Sequence, residues 1–250
     1  MPLKNARPFT TLRPPPSAAT GMDLLSILIP VYNEAATVAA TIRRVRAVDL
    51  PIPREIIVVD DGSADETWPL LQSLQESDLK IFRHARNMGK GAALRTALRY
   101  ARGNFAVVQD ADLEYSPSDL PAIIAPLLAG EADMVYGSRF LGRAEGMKPT
   151  FRLGNWLLAW TATLLFGRRV TDEATCYKAF RADLLRDMDL RCTGFEFCPE
   201  VTAKAFRRGA RYREVPISYE ARGASEGKKI TWRHGFEALW TLVKYRFRRR

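Results

Sequence analysis

Residues 104–113 read Asn104-Phe-Ala-Val-Val-Gln-Asp110-Ala-Asp112-Leu113. Six apolar or amide residues are followed at once by two carboxylates two positions apart. The first part is the length and composition of a buried strand. In an extended segment residues i and i+2 point to the same side. Asp110 and Asp112 therefore face one another's surroundings, and their mutual repulsion calls for a cation. Hard oxygen ligands suit Mg²⁺ or Mn²⁺, which keeps its remaining positions for water and phosphate oxygens. Glu114 is near enough in sequence to be a third ligand. An isolated D-x-D also fits a solvated acidic turn, so its neighbours decide between the readings.

Those neighbours repeat the pattern. Leu24–Val31 is a short apolar run ending at Tyr32-Asn33-Glu34, and Glu55–Val59 ends at Asp60-Asp61-Gly62-Ser63. Leu79–Arg83 is a third strand, and Asp133–Tyr136 a fifth, ending at Gly137-Ser138-Arg139. Between them lie helical segments: Glu34–Ala47 behind an Asn33 cap, a helix opened by Ser63 and Glu66 at capping-box spacing, Gly91–Arg102, and one opened by Ser116-Pro117-Ser118-Asp119 and closed at Gly130. Strand and helix alternate, and the strands are apolar throughout. That predicts an α/β fold, a Rossmann-like and mostly parallel sheet covered by helices on both faces. Ligands of such sheets bind beyond the carboxyl ends of the strands. Four polar clusters fall at those ends, which points to a single site.

Two glycine-rich segments join it. Arg86-Asn87-Met88-Gly89-Lys90-Gly91 is neither a dinucleotide fingerprint, since Leu94 takes the third glycine position, nor a P-loop. It is a turn that brings Lys90 and helix-start amides towards an anion. Arg222-Gly223-Ala224-Ser225-Glu226-Gly227-Lys228-Lys229 is a cationic loop able to fold over a diphosphate. No Gly-x-Ser-x-Gly elbow is present, and two histidines are too few for most nucleophilic triads.

The bulk properties set the outer bounds. With 250 residues, 47% of them hydrophobic, the chain can bury one substantial core. The three cysteines lack C-x-x-C spacing, which disfavours structural zinc and fits a reducing compartment. Residues 1–22 have no apolar core of a secretory signal and read as a tail. Residues 23–230 form the catalytic unit and 231–250 a basic amphipathic helix. The net charge is +10, and from Arg222 to Arg250 there are nine Lys or Arg against two Glu. Such a basic end marks a polyanionic neighbour: nucleic acid, an anionic membrane surface or phosphorylated substrates. The longest apolar run, Trp156–Phe166, is too short to span a bilayer. The run Asn155–Phe166 and a stripe of Trp232, Phe236, Leu239, Trp240, Val243 and Phe247 are either core or an interfacial surface.

Taken in order and spacing, the runs Ile29-Pro30-Val31-Tyr32-Asn33-Glu34, Val59–Ser63, Asn87–Gly91, Asp110–Leu113, Gly137–Arg139, Glu214-Val215-Pro216 and the Arg222 loop resemble the inverting family 2 glycosyltransferases. Within these they resemble the dolichol-phosphate mannosyltransferase-like branch, which acts on polyprenyl phosphates. The resemblance covers about residues 24–247. It implies a GT-A fold and a sugar-nucleotide donor, GDP-mannose or a UDP-hexose. It places Pro30, Tyr32, Glu34 and Asp60 or Asp61 near base and ribose, with Lys90 and the Asp110-Ala111-Asp112 turn completing the donor site. It places Asp110, Asp112 and Glu114 at a Mg²⁺ or Mn²⁺ ion, and Arg139, Arg222 and Lys228 near phosphates, so that Asp112, Arg139, Arg222 and Lys228 carry catalysis. The chain departs from the family pattern at Glu114, often Gln, and at Cys176, often Gly. A lipid-phosphate acceptor needs no general base; a hydroxyl acceptor requires one, such as Glu196 or Glu200. The expected location is the cytoplasmic membrane face, held peripherally by an anionic surface or a membrane protein partner. Nucleic acid is not the expected partner, because nucleic-acid binding has no need of the carboxylate pair.

Overall fold

The computed structural model describes residues 23–74, 76–222 and 232–248. Seven strands form one sheet: β1 (Leu25–Val31), β2 (Arg54–Asp60), β3 (Leu79–Arg83), β4 (Phe105–Val108), β5 (Met134–Glu145), β6 (Lys178–Arg181) and β7 (Tyr212–Glu220). Their order is β3-β2-β1-β4-β6-β5-β7. All run parallel except β6, which lies antiparallel between β4 and β5. The α/β, mostly parallel architecture expected from the strand composition is what forms.

Alternate strand residues feed the two sides of the sheet. Leu28, Ile57, Val59, Val108 and Tyr136 meet α3 (Lys90–Tyr100), α5 (Pro149–Phe166), α6 (Ala182–Arg186), α7 (Phe197–Arg207) and α8 (Trp232–Phe247). Ile27, Ile29, Ile56, Val58 and Val107 meet α1 (Val38–Ala47), α2 (Thr67–Ser73) and α4 (Leu120–Leu128). The strands are apolar on both faces because both faces are covered.

Three helix starts differ from expectation, for one reason. The residues expected to cap helices cross-link loops instead. Asn33 adopts φ +51°, its N–H donates to Ser63 Oγ and its side-chain oxygen accepts from Ala64 N–H. Thr67 Oγ1 accepts from Glu34 N–H and Asp65 Oδ2 from Ala35 N–H. So α1 begins at Val38 and α2 at Thr67, and the loops after β1 and β2 become one laced unit. Likewise Asp119 Oδ2 accepts from Ser218 N–H across to β7, and a 3₁₀ turn at Pro117–Asp119 leads into α4.

Strand β6 was not legible because its first residue is a lysine buried at the centre of the sheet. Lys178 is 1% exposed. Its ammonium donates to the Glu173 carbonyl at 2.8 Å and lies 3.4 Å from the Tyr136 ring centroid. Burial raises the Glu173 carboxyl to about 7, against the opposing pull of Lys178, and Glu173 Oε1 has no hydrogen-bond partner. A carboxyl raised in the folded state binds a proton that the unfolded chain has already lost. Stability from this group is therefore lost as pH rises from about 4.5 towards 7. Glu173→Gln is expected to flatten that dependence by up to about 1.4 kcal/mol per pH unit. Denaturant unfolding of both proteins at several pH values in this window checks it; parallel pH profiles would mean that Glu173 is ionised throughout.

Candidate active site

The strand order reverses between β1 and β4, and their carboxyl ends open a crevice there. Asp110-Ala111-Asp112 leaves β4 into this crevice. Thr41 Oγ1 from α1 donates to the Ala111 carbonyl at 3.0 Å, and Gln109 Nε2 donates to the Asp110 carbonyl at 3.1 Å. Leu113 takes φ +63°, and Glu114 N–H donates to Asp112 Oδ1 at 3.1 Å. The turn is thus fixed by its backbone before any ligand arrives.

The electrostatics are those of crowded negative charge. Burial first, then the Asp110 and Glu114 carboxylates, raise Asp112 to about 7. Asp110 accepts a short hydrogen bond from Lys90 Nζ, which also lies 3.0 Å from Cys176 Sγ. Burial works to lower the Lys90 ammonium, but Asp110 together with the nearby Cys176 and Cys198 thiols holds it well above its ordinary value. Two adjacent hard carboxylates, one of them short of positive charge, fit a divalent cation.

Glu114 does not join them. Its Oε2 accepts from Tyr219 Oη at 2.8 Å and its Oε1 from Arg222 N–H at 3.0 Å. Of the three expected carboxylates, Asp110 and Asp112 lie on the turn itself, and Glu114 spends its oxygens anchoring the end of β7. Among the described residues, no three Asp, Glu, His or Cys side chains converge into a metal group.

Arg222 closes the crevice. Its Nε donates to the Asp112 carbonyl at 2.8 Å, and its Nη2 and Nη1 reach the Glu34 carboxylate at 2.6 and 3.3 Å. Glu34, expected at the base or ribose, is thereby tied to the loop that follows β7. Lys228 and the rest of its loop lie outside the described residues.

On the other side of the crevice, Asp60 is fully buried. Its Oδ1 accepts from Ser63 N–H, while Oδ2 makes no hydrogen bond although Arg83 Nε is 3.1 Å away. Asp61 is spent on architecture: Oδ1 meets His84 Nδ1 at 2.6 Å and accepts from Met88 N–H, and Oδ2 accepts from Gly89 N–H at 2.7 Å. Of the two aspartates, only Asp60 has an oxygen without a hydrogen bond, and that oxygen is buried beside Arg83. Gly89, at φ +97°, packs so tightly that a Cβ would sit 2.4 Å from the Thr193 carbonyl. That contact presses the Lys90 turn against the segment before α7. Pro30 pairs with Val59 at the end of β1, and Tyr32 follows, partly exposed.

Arg139 departs most from expectation. It is 6% exposed, and its Nε and Nη2 donate to the two oxygens of Asp172 at 2.7 and 2.8 Å, with its own N–H adding a third bond. Burial alone would lower its pKa; Asp172 holds it well above the ordinary value. The guanidinium fork is engaged inside the protein rather than presented to a phosphate, because β5 does not end at Tyr136 but runs on to Glu145. Asp172, Tyr219, Thr41 and Cys176 also shape the site. Cys176 was marked by the family pattern and Tyr219 lies between two of the quoted runs, whereas only the fold brings Thr41 and Asp172 there. The two candidate bases are engaged as well. Glu200 is fully buried and ion-paired to Lys204, and Glu196 Oε1 accepts from the N–H groups of Thr193 and Gly194.

Residues 26–188 match the family model described as Glycosyl transferase family 2. The chain is 32% identical over 224 residues to the undecaprenyl-phosphate mannosyltransferase of Micrococcus luteus, with 83% of this chain and 87% of the relative covered. It is 29% identical to the UDP-N-acetylglucosamine–dolichyl-phosphate N-acetylglucosaminyltransferase of Methanococcus voltae, covering 88% of this chain and 95% of the relative. Its fold is similar to that of glucosyl-3-phosphoglycerate synthase from Mycobacterium tuberculosis, solved with Mn²⁺, UDP and phosphoglyceric acid. That match has a TM-score of 0.69 at 20% identity and covers 91% of this chain and 79% of the other.

Proposed function

The chain belongs to glycosyl transferase family 2, and from that membership we propose that it transfers a sugar, with inversion, from GDP-mannose or a UDP-hexose to a polyprenyl phosphate. The observation that carries the reading is the Asp110/Asp112 pair at the β1–β4 crevice, with Asp112 raised to about 7 by burial and by the neighbouring Asp110 and Glu114 carboxylates. These two residues would hold Mg²⁺ or Mn²⁺, which when bound offsets the charge of the departing nucleoside diphosphate.

The protein's own residues do the rest. Lys90 holds Asp110 in place. Asp60 Oδ2 accepts from a base N–H, and Pro30 and Tyr32 border that end of the crevice. Arg222 exchanges Glu34 for donor phosphate oxygens, and Lys228 adds a second cation. Arg139 acts as a positioning residue through Asp172. A lipid phosphate is largely ionised near neutral pH, so it attacks without a general base. The engagement of Glu196 and Glu200 favours this acceptor over a hydroxyl, as do the acceptors in the relatives' names.

Binding gives the first test. Mn²⁺ with UDP or GDP is expected to raise the melting temperature, since a ligand of the folded state stabilises it; a rise with oligonucleotides alone would favour a nucleic-acid binder instead. Arg222→Ala should keep that rise but lose about 10²-fold in turnover, because its charge is needed where the leaving group develops. Equal losses in nucleotide affinity and turnover would remove Arg222 from that role.

The acceptor implies a membrane, and the cytoplasmic face is the proposed location. No helix of the described residues is long and apolar enough to cross one. Helix α5 instead exposes Leu153, Trp156, Leu157, Trp160 and Leu164 at helical spacing. Helix α8 buries Leu242 and Tyr245, which lie off the expected stripe; of the stripe itself Phe236, Trp240 and Phe247 are exposed, and Leu239 packs partly buried against the core. Arg246 and Lys244 flank the stripe. A groove of about 680 Å³ bordered by Arg152, Trp156, Trp160 and Arg169 leads from α5 to Thr171, beside Asp172. Aromatic faces with basic flanks favour an anionic interface, with roughly 1 kcal/mol per cation at its surface. The protein is expected to sediment with liposomes containing anionic lipid at low salt, and Trp156→Ser/Trp160→Ser to stay behind. If the unaltered protein remains in the supernatant with both anionic and neutral liposomes, the membrane reading fails.

A further inference from the structure

Lys90 is an ammonium held between acceptors from two distant parts of the chain. It opens α3 directly after Gly89, the residue packed against the Thr193 carbonyl, and its side chain is 14% exposed. Its Nζ donates to Asp110 Oδ1 at the end of β4, and to Cys176 Sγ at 3.0 Å in the segment leading to β6. The Phe195 ring lies on a further side, its centroid 5.9 Å away. The place of the sulfur does not depend on the lysine. The Cys176 N–H donates to Tyr115 Oη at 3.3 Å, and the Cys176 carbonyl accepts from Lys178 N–H at 2.9 Å. Tyr115 is itself buried, edge-on to Tyr177 and Tyr219.

We propose that Cys176 is a positioning residue of the donor site: its sulfur holds the Lys90 ammonium against one oxygen of Asp110 and so leaves the other for a divalent cation. The proposal rests on the metal reading given above and adds a residue that acts on the site without touching the donor.

The donor count gives the reason. A lysine ammonium carries three N–H donors on a flexible four-carbon stem. Tied to the thiol, Lys90 spends one donor on Asp110, at Oδ1. Asp110 Oδ2 accepts no hydrogen bond among the described residues, and it belongs to the same turn as Asp112. Without the sulfur, an N–H that is largely shielded from water would lack its acceptor, which is costly. Asp110, already in contact, is the acceptor at hand. The ammonium would then straddle both carboxylate oxygens and compete with the cation for the second. A thiol suits the task because, unlike a carboxylate, it takes the hydrogen bond without drawing the lysine's charge away from Asp110.

The test uses the full chain and Mn²⁺ alone, with free Mn²⁺ read by electron paramagnetic resonance and the fold by a thermal melt without metal. Cys176→Ala is expected to bind Mn²⁺ about tenfold more weakly, the effect of losing one hydrogen bond to a charged group. Cys176→Ser, which restores an acceptor, is expected to recover the affinity of the unaltered protein. If alanine impairs folding, Cys176→Val, which fills the space but accepts nothing, is compared with serine instead. The deciding arm removes the lysine. In a Lys90→Met background, Cys176→Ala is expected to leave Mn²⁺ affinity unchanged, because the cysteine acts only through that ammonium. The proposal is overturned if Cys176→Ala lowers the melting temperature but not the affinity, if serine fails to restore it, or if the loss persists without Lys90. Equal Mn²⁺ binding by all variants removes the role of Cys176 and leaves the metal site standing. If the unaltered protein binds no Mn²⁺, either alone or with UDP or GDP, the metal reading falls and takes this proposal with it.

Discussion

Asp112→Ala is expected to lower turnover by about 10³-fold, the scale of losing a group that stabilises charge in the transition state, while leaving the fold in place. Asp112 makes one hydrogen bond inside its own turn, from Glu114 N–H. The turn keeps its other anchors, Thr41 to the Ala111 carbonyl and Gln109 to the Asp110 carbonyl. Burial and two neighbouring carboxylates penalise the Asp112 charge, so removing it relieves repulsion rather than breaking a support. The melting temperature without metal is therefore expected to hold or rise. Turnover at saturating Mg²⁺ or Mn²⁺, together with a thermal melt, checks both halves. Near-normal turnover would take Asp112 out of the metal site, and a collapsed melt would make it structural.

Arg139→Ala is expected to do the opposite, destabilising the fold by about 3–5 kcal/mol, the usual cost of breaking a buried ion pair by removing one partner. Asp172 would be left fully buried without its bidentate donor. The damage should be largely shared with Asp172→Ala, so the double variant loses much less than the sum of the two. Denaturant unfolding of the three variants measures this. If Arg139→Ala keeps its stability and loses turnover, the guanidinium reaches a phosphate during the reaction, and the resemblance-based placement was right after all.

These two residues also show what could be read from the sequence. Asp112 was legible because its setting is local: an apolar strand, then carboxylates at i and i+2, where parallel sheets put their ligands. The same logic located the clusters after β1 and β2. The Arg139–Asp172 pair was not legible because the apolar run ends at Tyr136, whereas β5 continues through Gly137-Ser138-Arg139 to Glu145. Asp172 is 33 residues away from Arg139, and no spacing rule links them. Lys178 hid β6 because a central lysine argues against a buried strand until Glu173 and Tyr136 surround it. Asn33 and Ser63 carry the chemistry of helix caps and use it on one another, a choice fixed by the neighbouring β1 and β2 loops. Glu114 shares that ambiguity: a carboxylate two residues past Asp112 is a plausible ligand until Tyr219 and the Arg222 N–H claim it.

The most direct test of the account is sugar transfer itself. The purified full chain, with Mg²⁺ or Mn²⁺, is offered GDP-mannose and a panel of UDP-hexoses, with a short polyprenyl phosphate or the corresponding polyprenol as acceptor. The account predicts a metal-dependent glycolipid from one donor class with the phosphate acceptor, none with the alcohol, and none after chelation. Transfer to the alcohol or to a soluble sugar hydroxyl, with the lipid phosphate left untouched, would contradict it.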